Sequence, residues 1–276
     1  ITTSSEFAIE VTVPASARHG NIVVINKLSA RSARSSAKFI PSYQGEAFSV
    51  SNIELSKSFP GGTELFDVCT CDFNVDGKPD LIASKSVSPA SDLLVLRNVS
   101  TPPTAGAVGV IDFVPTNLNL FSPTFNLACG DLNGDGKPDL LASRGGATLN
   151  EVLVRLNTSA IGAANISFTA PSFPNDRLVL DVTDRAFRMV IRDLNGDGKP
   201  EVIVSNANTD KIYVFINTST TATLSFNPTP LKFAVDGATN SYGIDVQDMD
   251  GDDKADIVVN QFNKPDVFIL RNTSSG

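Results

Sequence analysis

Four nine-residue segments of this chain repeat one arrangement of oxygen-bearing side chains. They occupy residues 72–80 (loop 1), 131–139 (loop 2), 193–201 (loop 3) and 248–256 (loop 4), with Asp, Asn or Glu at positions 1, 3, 5 and 9 of each. A hard cation such as Ca²⁺ binds about six to eight oxygens at about 2.3–2.6 Å, and a tight loop of alternate oxygens plus one backbone carbonyl can surround it. The spacing therefore predicts four calcium sites, one in each loop.

The residues around each loop indicate which kind of calcium loop this is. An EF-hand continues to a bidentate Glu at position 12 and lies between helices. Position 12 is Ala or Val in all four copies, and each loop runs into a short apolar stretch such as Glu-Val-Ile-Val-Ser at residues 201–205, which predicts a strand. Position 6 is Gly in three copies and Asp253 in the fourth, residue types that tolerate positive φ. We therefore predict a turn between two strands.

An alternative is that the loops are metal-free turns, which Asp, Asn and Gly form readily. The distribution of charge favours metal, because clustered carboxylates repel each other when no cation lies between them. The loops contain 14 of the 30 acidic and 4 of the 22 basic residues, so they carry −10 and the rest of the chain carries +2. Four Ca²⁺ ions would bring the net charge from −8 to zero.

The composition of the chain excludes some classes of partner. Hydrophobic residues make up 41% and charged residues 19% of the 276 residues, which is typical of a globular protein. No apolar run approaches the roughly 18 residues of a membrane-spanning helix, so we expect no membrane insertion of this segment. The pI of about 4.7 and the lack of a Lys/Arg run argue against a nucleic-acid partner, whose phosphates require a basic face.

The loops are part of a longer repeat, because they begin 59, 62 and 55 residues apart. After each loop we predict a strand, then a second strand ending in Asn, then a third at residues 111–114, 166–169 and 224–227, and then a fourth. Four strands per unit predict an all-β fold of β-propeller blades. Both ends of the chain fall inside units, so we expect a partial ring with parts of five blades, cut from a longer chain. The units are 1–62, a partial blade without a metal loop; 63–122, 123–184 and 185–239, blades with loops 1 to 3; and 240–276, a partial blade with loop 4.

The asparagines that end the second strands have two interpretations. Asn98, Asn157, Asn217 and Asn272 all begin an Asn-x-Ser pattern, the acceptor for N-glycosylation. Their recurrence at one position of the repeat favours a polar turn that ends the strand.

The three cysteines precede the first two loops. A disulfide between Cys69 and Cys71 would close a small, strained ring. Zinc is not expected, because no His or fourth Cys accompanies them. We therefore expect Cys69, Cys71 and Cys129 to be small buried apolar residues.

The Asp-x-Asn-x-Asp-Gly-Lys-Pro-Asp loop, the Leu-Ile-Ala-Ser type of strand and the Val-Leu-Arg-Asn type of strand resemble the FG-GAP/VCBS family of integrin-α-like β-propeller repeats. The resemblance covers four units strongly and residues 1–62 weakly. The segment Leu-Arg-Asn-Thr-Ser is similar to segments of secreted bacterial surface proteins. Family members commonly have seven blades. The resemblance implies structural Ca²⁺ ions that brace the turn after the innermost strand, with the lysines contributing their carbonyls. The implied ligands are Asp72, Asn74, Asp76, Lys78 and Asp80; Asp131, Asn133, Asp135, Lys137 and Asp139; Asp193, Asn195, Asp197, Lys199 and Glu201; and Asp248, Asp250, Asp252, Lys254 and Asp256.

Our first functional hypothesis is a non-catalytic, extracellular or cell-surface module for adhesion or ligand binding, with a protein or polysaccharide partner. His19 is the only His, and neither Gly-x-Ser-x-Gly nor His-Glu-x-x-His occurs. One alternative is a polysaccharide lyase or hydrolase, because 16 acidic residues outside the loops leave carboxylates for catalysis. Another is a lectin. It is less favoured, because the chain has no Trp and only three Tyr, and sugars usually stack on flat aromatic side chains.

Overall fold

The computed structural model divides into two units, residues 1–56 and 57–276. In the first unit it describes the backbone of residues 3–4, 9–10, 20–26 and 31–39. In the second it describes residues 57–59, 64–85, 93–102, 104, 109–119, 124–144, 150–169, 177–221, 223–235, 240–262 and 264–274. Every regular element in these ranges is a β-strand, which confirms the prediction of an all-β fold.

The described residues of the first unit form two antiparallel pairs of strands. Strand β1 (Thr3–Ser4) pairs with β2 (Ile9–Glu10), and β3 (Gly20–Asn26) pairs with β4 (Arg31–Phe39).

The described residues of the second unit form four consecutive antiparallel sheets, each made of strands in chain order. Blade 1 consists of β5 (Leu65–Cys71), β6 (Asp80–Lys85), β7 (Leu93–Asn98) and β8 (Phe113–Leu118). Blade 2 consists of β9 (Thr124–Gly130), β10 (Asp139–Arg144), β11 (Glu151–Arg155) and β12 (Arg177–Val179). Blade 3 consists of β13 (Ala186–Arg192), β14 (Glu201–Asn206), β15 (Lys211–Phe215) and β16 (Leu231–Ala234). The described strands of blade 4 are β17 (Ser241–Gln247), β18 (Asp256–Gln261) and β19 (Val267–Leu270). Four-stranded meanders of this kind are propeller blades.

The core of the second unit lies between neighbouring blades. The first strands of successive blades contact one another, β5 with β9, β9 with β13 and β13 with β17. Leu141 and Val152 of blade 2 pack against Met189, Val202 and Tyr213 of blade 3, and similar apolar clusters join blades 1 and 2 and blades 3 and 4. Strand β14 is buried along its whole length. Its apolar run therefore fits a strand covered on both faces.

The third strand of the repeat differs from the prediction. Residues 166–169 and 224–227 form only the isolated bridges Asn157↔Phe168 and Asn217↔Phe226, and the outer strands β12 and β16 come later in the chain. Only in blade 1 does the predicted segment enter the outer strand, because β8 begins at Phe113. In blade 3 the bridge and β16 are separated by Pro228 and Pro230, which cannot donate hydrogen bonds to a ladder.

Candidate metal centres

Each of the four loops connects the first and second strands of a blade, as predicted. Position 6 has positive φ in every copy, with 88° at Gly77, 85° at Gly136, 83° at Gly198 and 68° at Asp253. Position 4 also has positive φ in every copy. It is Gly in loops 2 to 4, but in loop 1 it is Val75, with φ of 55°. A β-branched residue is strained in this conformation.

The carboxylates at positions 1 and 5 are oriented by amides of their own loop. Asp72 accepts hydrogen bonds from the amides of Asp76 (3.0 Å) and Gly77 (2.8 Å). Asp131, Asp193 and Asp248 accept bonds from loop amides in the same way. The carboxylate at position 5 accepts a bond from the Lys amide at position 7, at 2.8–3.0 Å in all four loops. These bonds fold each loop around its own acidic side chains.

The acidic residue at position 9 is buried and joins two strands. Asp80 accepts hydrogen bonds from the amides of Phe73 (3.0 Å) and Asn98 (2.8 Å). Asp139 and Asp256 make the corresponding pairs of bonds. Each oxygen of these carboxylates accepts one hydrogen bond, so its second lone pair remains available to a cation.

The position 9 carboxyls of loops 1 to 3 lie in an environment that disfavours negative charge. Burial is the main reason that the pKa of Asp139 is raised, to about 7, and the charges of Asp135 and Asp131 raise it further. Burial also raises the pKa of Asp80 and of Glu201. A cation in the loop would replace the repulsion between carboxylates by attraction.

Two observations fit an oxygen-ligated cation in these loops. In loop 1 the Asn74 side chain is only 1% exposed, and its Oδ1 atom is buried without a hydrogen-bond partner. Its Nδ2 atom donates to the carbonyl of Ala163 at 3.0 Å. In loop 4 carboxylate oxygens of Asp248, Asp250 and Asp256 all lie within 4.8 Å of one another. An orphaned amide oxygen and converging carboxylates are the donor types that Ca²⁺ uses.

The remaining predicted ligands lie in the same four loops, and their role as ligands stays a prediction. Asp252 lies outside the three-carboxylate group of loop 4, and its carboxylate accepts a hydrogen bond from the Lys254 amide. The Asp250 carboxylate also binds the guanidinium of Arg271 at 2.5 Å, a competing cation that the sequence analysis missed. The carbonyls of Lys78, Lys137, Lys199 and Lys254 stay predicted ligands.

The asparagines that follow the second strands join one blade to the next. The Asn157 side-chain amide donates to the carbonyl of Pro138 in its own loop (2.9 Å) and to that of Phe73 in loop 1 of blade 1 (2.7 Å). Asn217 and Asn272 make the equivalent bonds to loops 2 and 3 of the preceding blades. We call the side-chain amides of Asn157, Asn217 and Asn272 the asparagine clamps.

The side-chain oxygens of the asparagines that follow the second strands confirm the predicted polar turn. The Oδ1 atoms of Asn98, Asn157, Asn217 and Asn272 each accept a bond from the amide two residues later. The Asn157 and Asn217 side chains are buried, and their Nδ2 atoms already donate two hydrogen bonds each.

The prediction for the cysteines is wrong for two of the three. Cys71 and Cys129 form a disulfide with a Cα–Cα distance of 6.4 Å, and Cys69 is buried and free, as predicted. The partners lie near the ends of β5 and β9, which are neighbours across the interface of blades 1 and 2. The sequence analysis considered only the pair within one strand. The available signal was that Cys71 and Cys129 occupy similar positions just before successive loops.

A second feature that sequence reasoning missed is a row of aromatic side chains at the other end of the first strands. Phe66, Phe125, Phe187 and Tyr242, the aromatic row, each stand six residues before the first Asp of a loop. The ring centroids of Phe66 and Phe125 are 4.8 Å apart, and those of Phe187 and Tyr242 are 4.6 Å apart. The Arg185 guanidinium lies 5.3 Å from the Phe125 ring. The constant spacing was the signal.

These loops and sheets define a protein built from repeated propeller blades. A model of the FG-GAP-like repeat matches residues 72–142 and 193–259, together half of the chain, and each match contains two of the four loops. The chain belongs to the FG-GAP-like repeat family. No curated protein matches it. Within the described residues, no helix is long and apolar enough to span a membrane.

Proposed function

We propose that this chain is a non-catalytic module for adhesion or ligand binding, acting outside the cell and braced by about four Ca²⁺ ions. The observation that carries the proposal is the repeated loop, in which loop amides hold the acidic side chains in all four copies and Asn74 Oδ1 lacks a partner. The ligands are those implied by the family resemblance, from Asp72 to Asp80 in loop 1 and at the matching positions of loops 2 to 4.

The asparagine clamps support a bracing role for the ions. The carbonyls of Phe73, Leu132 and Leu194, at position 2 of loops 1 to 3, accept hydrogen bonds from the following blade. A cation that orders one loop therefore also fixes the acceptor on which the next blade is held. Rigid blades with variable connecting loops are a common way to present a binding surface.

Two further features support an extracellular location and a binding role. Disulfides such as Cys71–Cys129 persist mainly in oxidising compartments, and calcium sites of modest affinity fill at the millimolar calcium found there. The aromatic row offers flat apolar surface, with Phe66 53% exposed. Exposed aromatic side chains of this type are frequent in binding sites for proteins and other ligands.

The role of calcium is tested by melting the chain with Ca²⁺ and with a chelator. Ca²⁺ at 100 times the dissociation constant stabilises by about 2.7 kcal/mol per independent site, so the melting temperatures should differ by several degrees or more. Asp248→Asn should reduce the calcium bound per chain by one ion, as measured by equilibrium dialysis. Asp266→Asn, an exposed acid outside the loops, is the matched control. Superimposable melts would contradict the proposal.

The binding role is tested with purified chain and defined surfaces, namely insoluble chitin, insoluble cellulose and collagen-coated plates. We expect retention on at least one surface, with no release of reducing sugar or peptide. Phe66→Ser should weaken retention, and Val182→Ser, a 91% exposed position outside the aromatic row, should not. Turnover that is abolished by changing a carboxylate outside the loops would favour the polysaccharide lyase or hydrolase instead.

A further inference from the structure

A hairpin of blade 2 reaches loop 1 of blade 1. It spans residues 158–167, directly after the clamp residue Asn157, and we call it the latch hairpin. At its tip the Ala163 amide donates to the Ala160 carbonyl at 3.0 Å, and Gly162 has φ of 69°. The third residue of this tight turn needs positive φ, which glycine adopts without strain.

Two hydrogen bonds join the tip of the latch hairpin to Asn74, at position 3 of loop 1. The Gly162 amide donates to the Asn74 carbonyl at 2.6 Å, and the Asn74 side-chain Nδ2 donates to the Ala163 carbonyl at 3.0 Å. The same Nδ2 atom also donates to the Asp76 carboxylate at 3.2 Å. Both hydrogens of this amide group therefore have acceptors, which fixes the orientation of the Asn74 side chain.

The other end of the amide, Asn74 Oδ1, is a buried acceptor without a donor. In loop 2 the equivalent oxygen, Asn133 Oδ1, accepts from the Asp135 amide at 3.1 Å. In loop 1 the amide at position 5 donates to Asp72 at 3.0 Å and leaves Asn74 Oδ1 unpaired. An unpaired buried acceptor destabilises the folded chain. Loop 1 therefore gains more than loop 2 from a cation that takes oxygen ligands.

The next blade junction lacks the bonds of the latch hairpin. The corresponding hairpin of blade 3 is two residues shorter, with seven residues from Ser219 to Ser225 against nine from Ser159 to Ser167. Among its described residues, none makes a hydrogen bond to loop 2. Loop 2 keeps the asparagine clamp from blade 3, as loop 1 keeps the clamp from blade 2. The two junctions differ in the hairpin tip.

We propose that the latch hairpin positions Asn74 Oδ1 as a preformed ligand, so that loop 1 binds Ca²⁺ more tightly than loop 2 and couples this binding to blade 2. Gly162 and Ala163 are positioning residues, because they act through Asn74. Coupling is reciprocal, so an occupied loop 1 also orders the latch hairpin. Calcium binding at loops 1 and 2, as proposed above, is required for this role.

The coupling is tested by a Ca²⁺ titration of the full chain labelled with ¹⁵N-glycine, followed by NMR. Gly77 and Gly136 report on position 6 of loops 1 and 2, and Gly162 reports on the tip of the latch hairpin. We expect Gly77 and Gly162 to respond together. Their midpoint should lie at about fivefold lower free Ca²⁺ than that of Gly136, because satisfying one buried acceptor is worth about this factor.

A hairpin exchange separates the latch from the rest of the blade. Residues 160–165 are replaced by Thr-Thr-Ala-Thr, the sequence of residues 220–223 in the shorter hairpin of blade 3. We expect the midpoint of Gly77 to rise about fivefold, to that of Gly136, and the midpoint of Gly136 to stay unchanged. Ile161→Ser is the matched control, because it changes a 79% exposed side chain at the same tip and should alter neither midpoint.

The outcomes distinguish this coupling from calcium binding itself. Equal midpoints for Gly77 and Gly136 in the unmodified chain, or a Gly162 response that does not follow Gly77, would overturn the latch and leave the calcium sites in place. An unchanged Gly77 midpoint after the exchange would do the same, with melting curves to confirm that the exchanged chain folds. No response of any loop glycine up to about 10 mM Ca²⁺, above the range of weak extracellular sites, would overturn both.

Discussion

The side-chain amide of Asn217, just after β15 in blade 3, donates a 2.8 Å hydrogen bond to the carbonyl of Leu132 in loop 2 of blade 2. The same nitrogen donates to the carbonyl of Pro200 in loop 3 at 2.9 Å. One side chain thus connects loops 2 and 3, which begin 62 residues apart in the sequence. Because Asn157 and Asn272 make the same contacts, the loops and the blade interfaces form one connected network.

We expect Asn217→Ala to lower the free energy of unfolding by about 2–3 kcal/mol, because it leaves two buried carbonyls without their donor. The measurement is chemical denaturation at fixed Ca²⁺. Asn208→Ala is the matched control, because the exposed Asn208 side chain donates one bond to the Thr183 carbonyl and its loss should cost less than about 0.5 kcal/mol. Equal losses in the two variants would show that the asparagine clamp does not stabilise the blade interface.

Val75 should be a source of strain in loop 1. Its φ is 55°, whereas the equivalent positions of the other loops are Gly. We expect Val75→Gly to stabilise the chain by about 1 kcal/mol, since relief of the left-handed strain exceeds the entropy that Gly adds to the unfolded state.

The reciprocal change tests the same idea in another loop. Gly196 in loop 3 has φ of 80° and open space around its Cα, so Gly196→Val should destabilise through backbone strain and not through a clash. Thermal melts at fixed Ca²⁺ measure both variants. Destabilisation by Val75→Gly would mean that the Val75 side chain contributes packing that outweighs its strain.

The residues that could be predicted from the sequence are those whose role lies within one repeat. The oxygen spacing of loop 1 and the positive φ at Gly77 follow from residue type and local turn geometry. The contact of Asn217 with Leu132 and that of Cys71 with Cys129 could not be predicted in this way, because each joins two different blades. Contacts between blades depend on how successive repeats stack, and the local pattern of a single repeat does not specify this.

The outer strands illustrate the same limit. The pattern at residues 224–227 predicts a third strand, but Phe226 is partly buried against the interblade core and makes a single bridge to Asn217. The pattern predicted a strand, but the segment forms this one bridge and no ladder. An alternating pattern reports which side chains are buried, and it does not report which neighbouring strand is paired.

The Cys71–Cys129 disulfide should contribute substantially to stability. It joins residues 58 positions apart, and closing a loop of this size in the unfolded chain is worth about 2–4 kcal/mol. We expect the double variant Cys71→Ser, Cys129→Ser to lose about this much in denaturant unfolding. The control is the unmodified chain in excess reductant, which should match the variant. An unchanged midpoint in both would show that the disulfide does not constrain the unfolded chain.

Cys69 should be unreactive in the folded chain. Burial, and then the charge of Asp67, raise its pKa to about 12, so the thiolate, which is the reactive form, is scarce at neutral pH. We expect no labelling by iodoacetamide at pH 8 without denaturant. One label per chain should appear after unfolding without reductant, because the disulfide protects the other two cysteines. A control sample that is both reduced and unfolded should take three labels.

The raised pKa of Cys69 also predicts how stability depends on pH. In the unfolded chain the thiol ionises near its ordinary pKa of about 8.5, whereas in the folded chain it keeps its proton to about 12. Between these values the folded state binds more protons, so this contribution is fully present below about pH 8.5 and is lost by up to about 1.4 kcal/mol per pH unit as the pH rises. Unfolding by denaturant between pH 8.5 and 10.5 measures the slope. Cys69→Ala should reduce this change of unfolding free energy with pH, independently of any packing that the variant loses at neutral pH. An unchanged slope would contradict the assignment to this thiol.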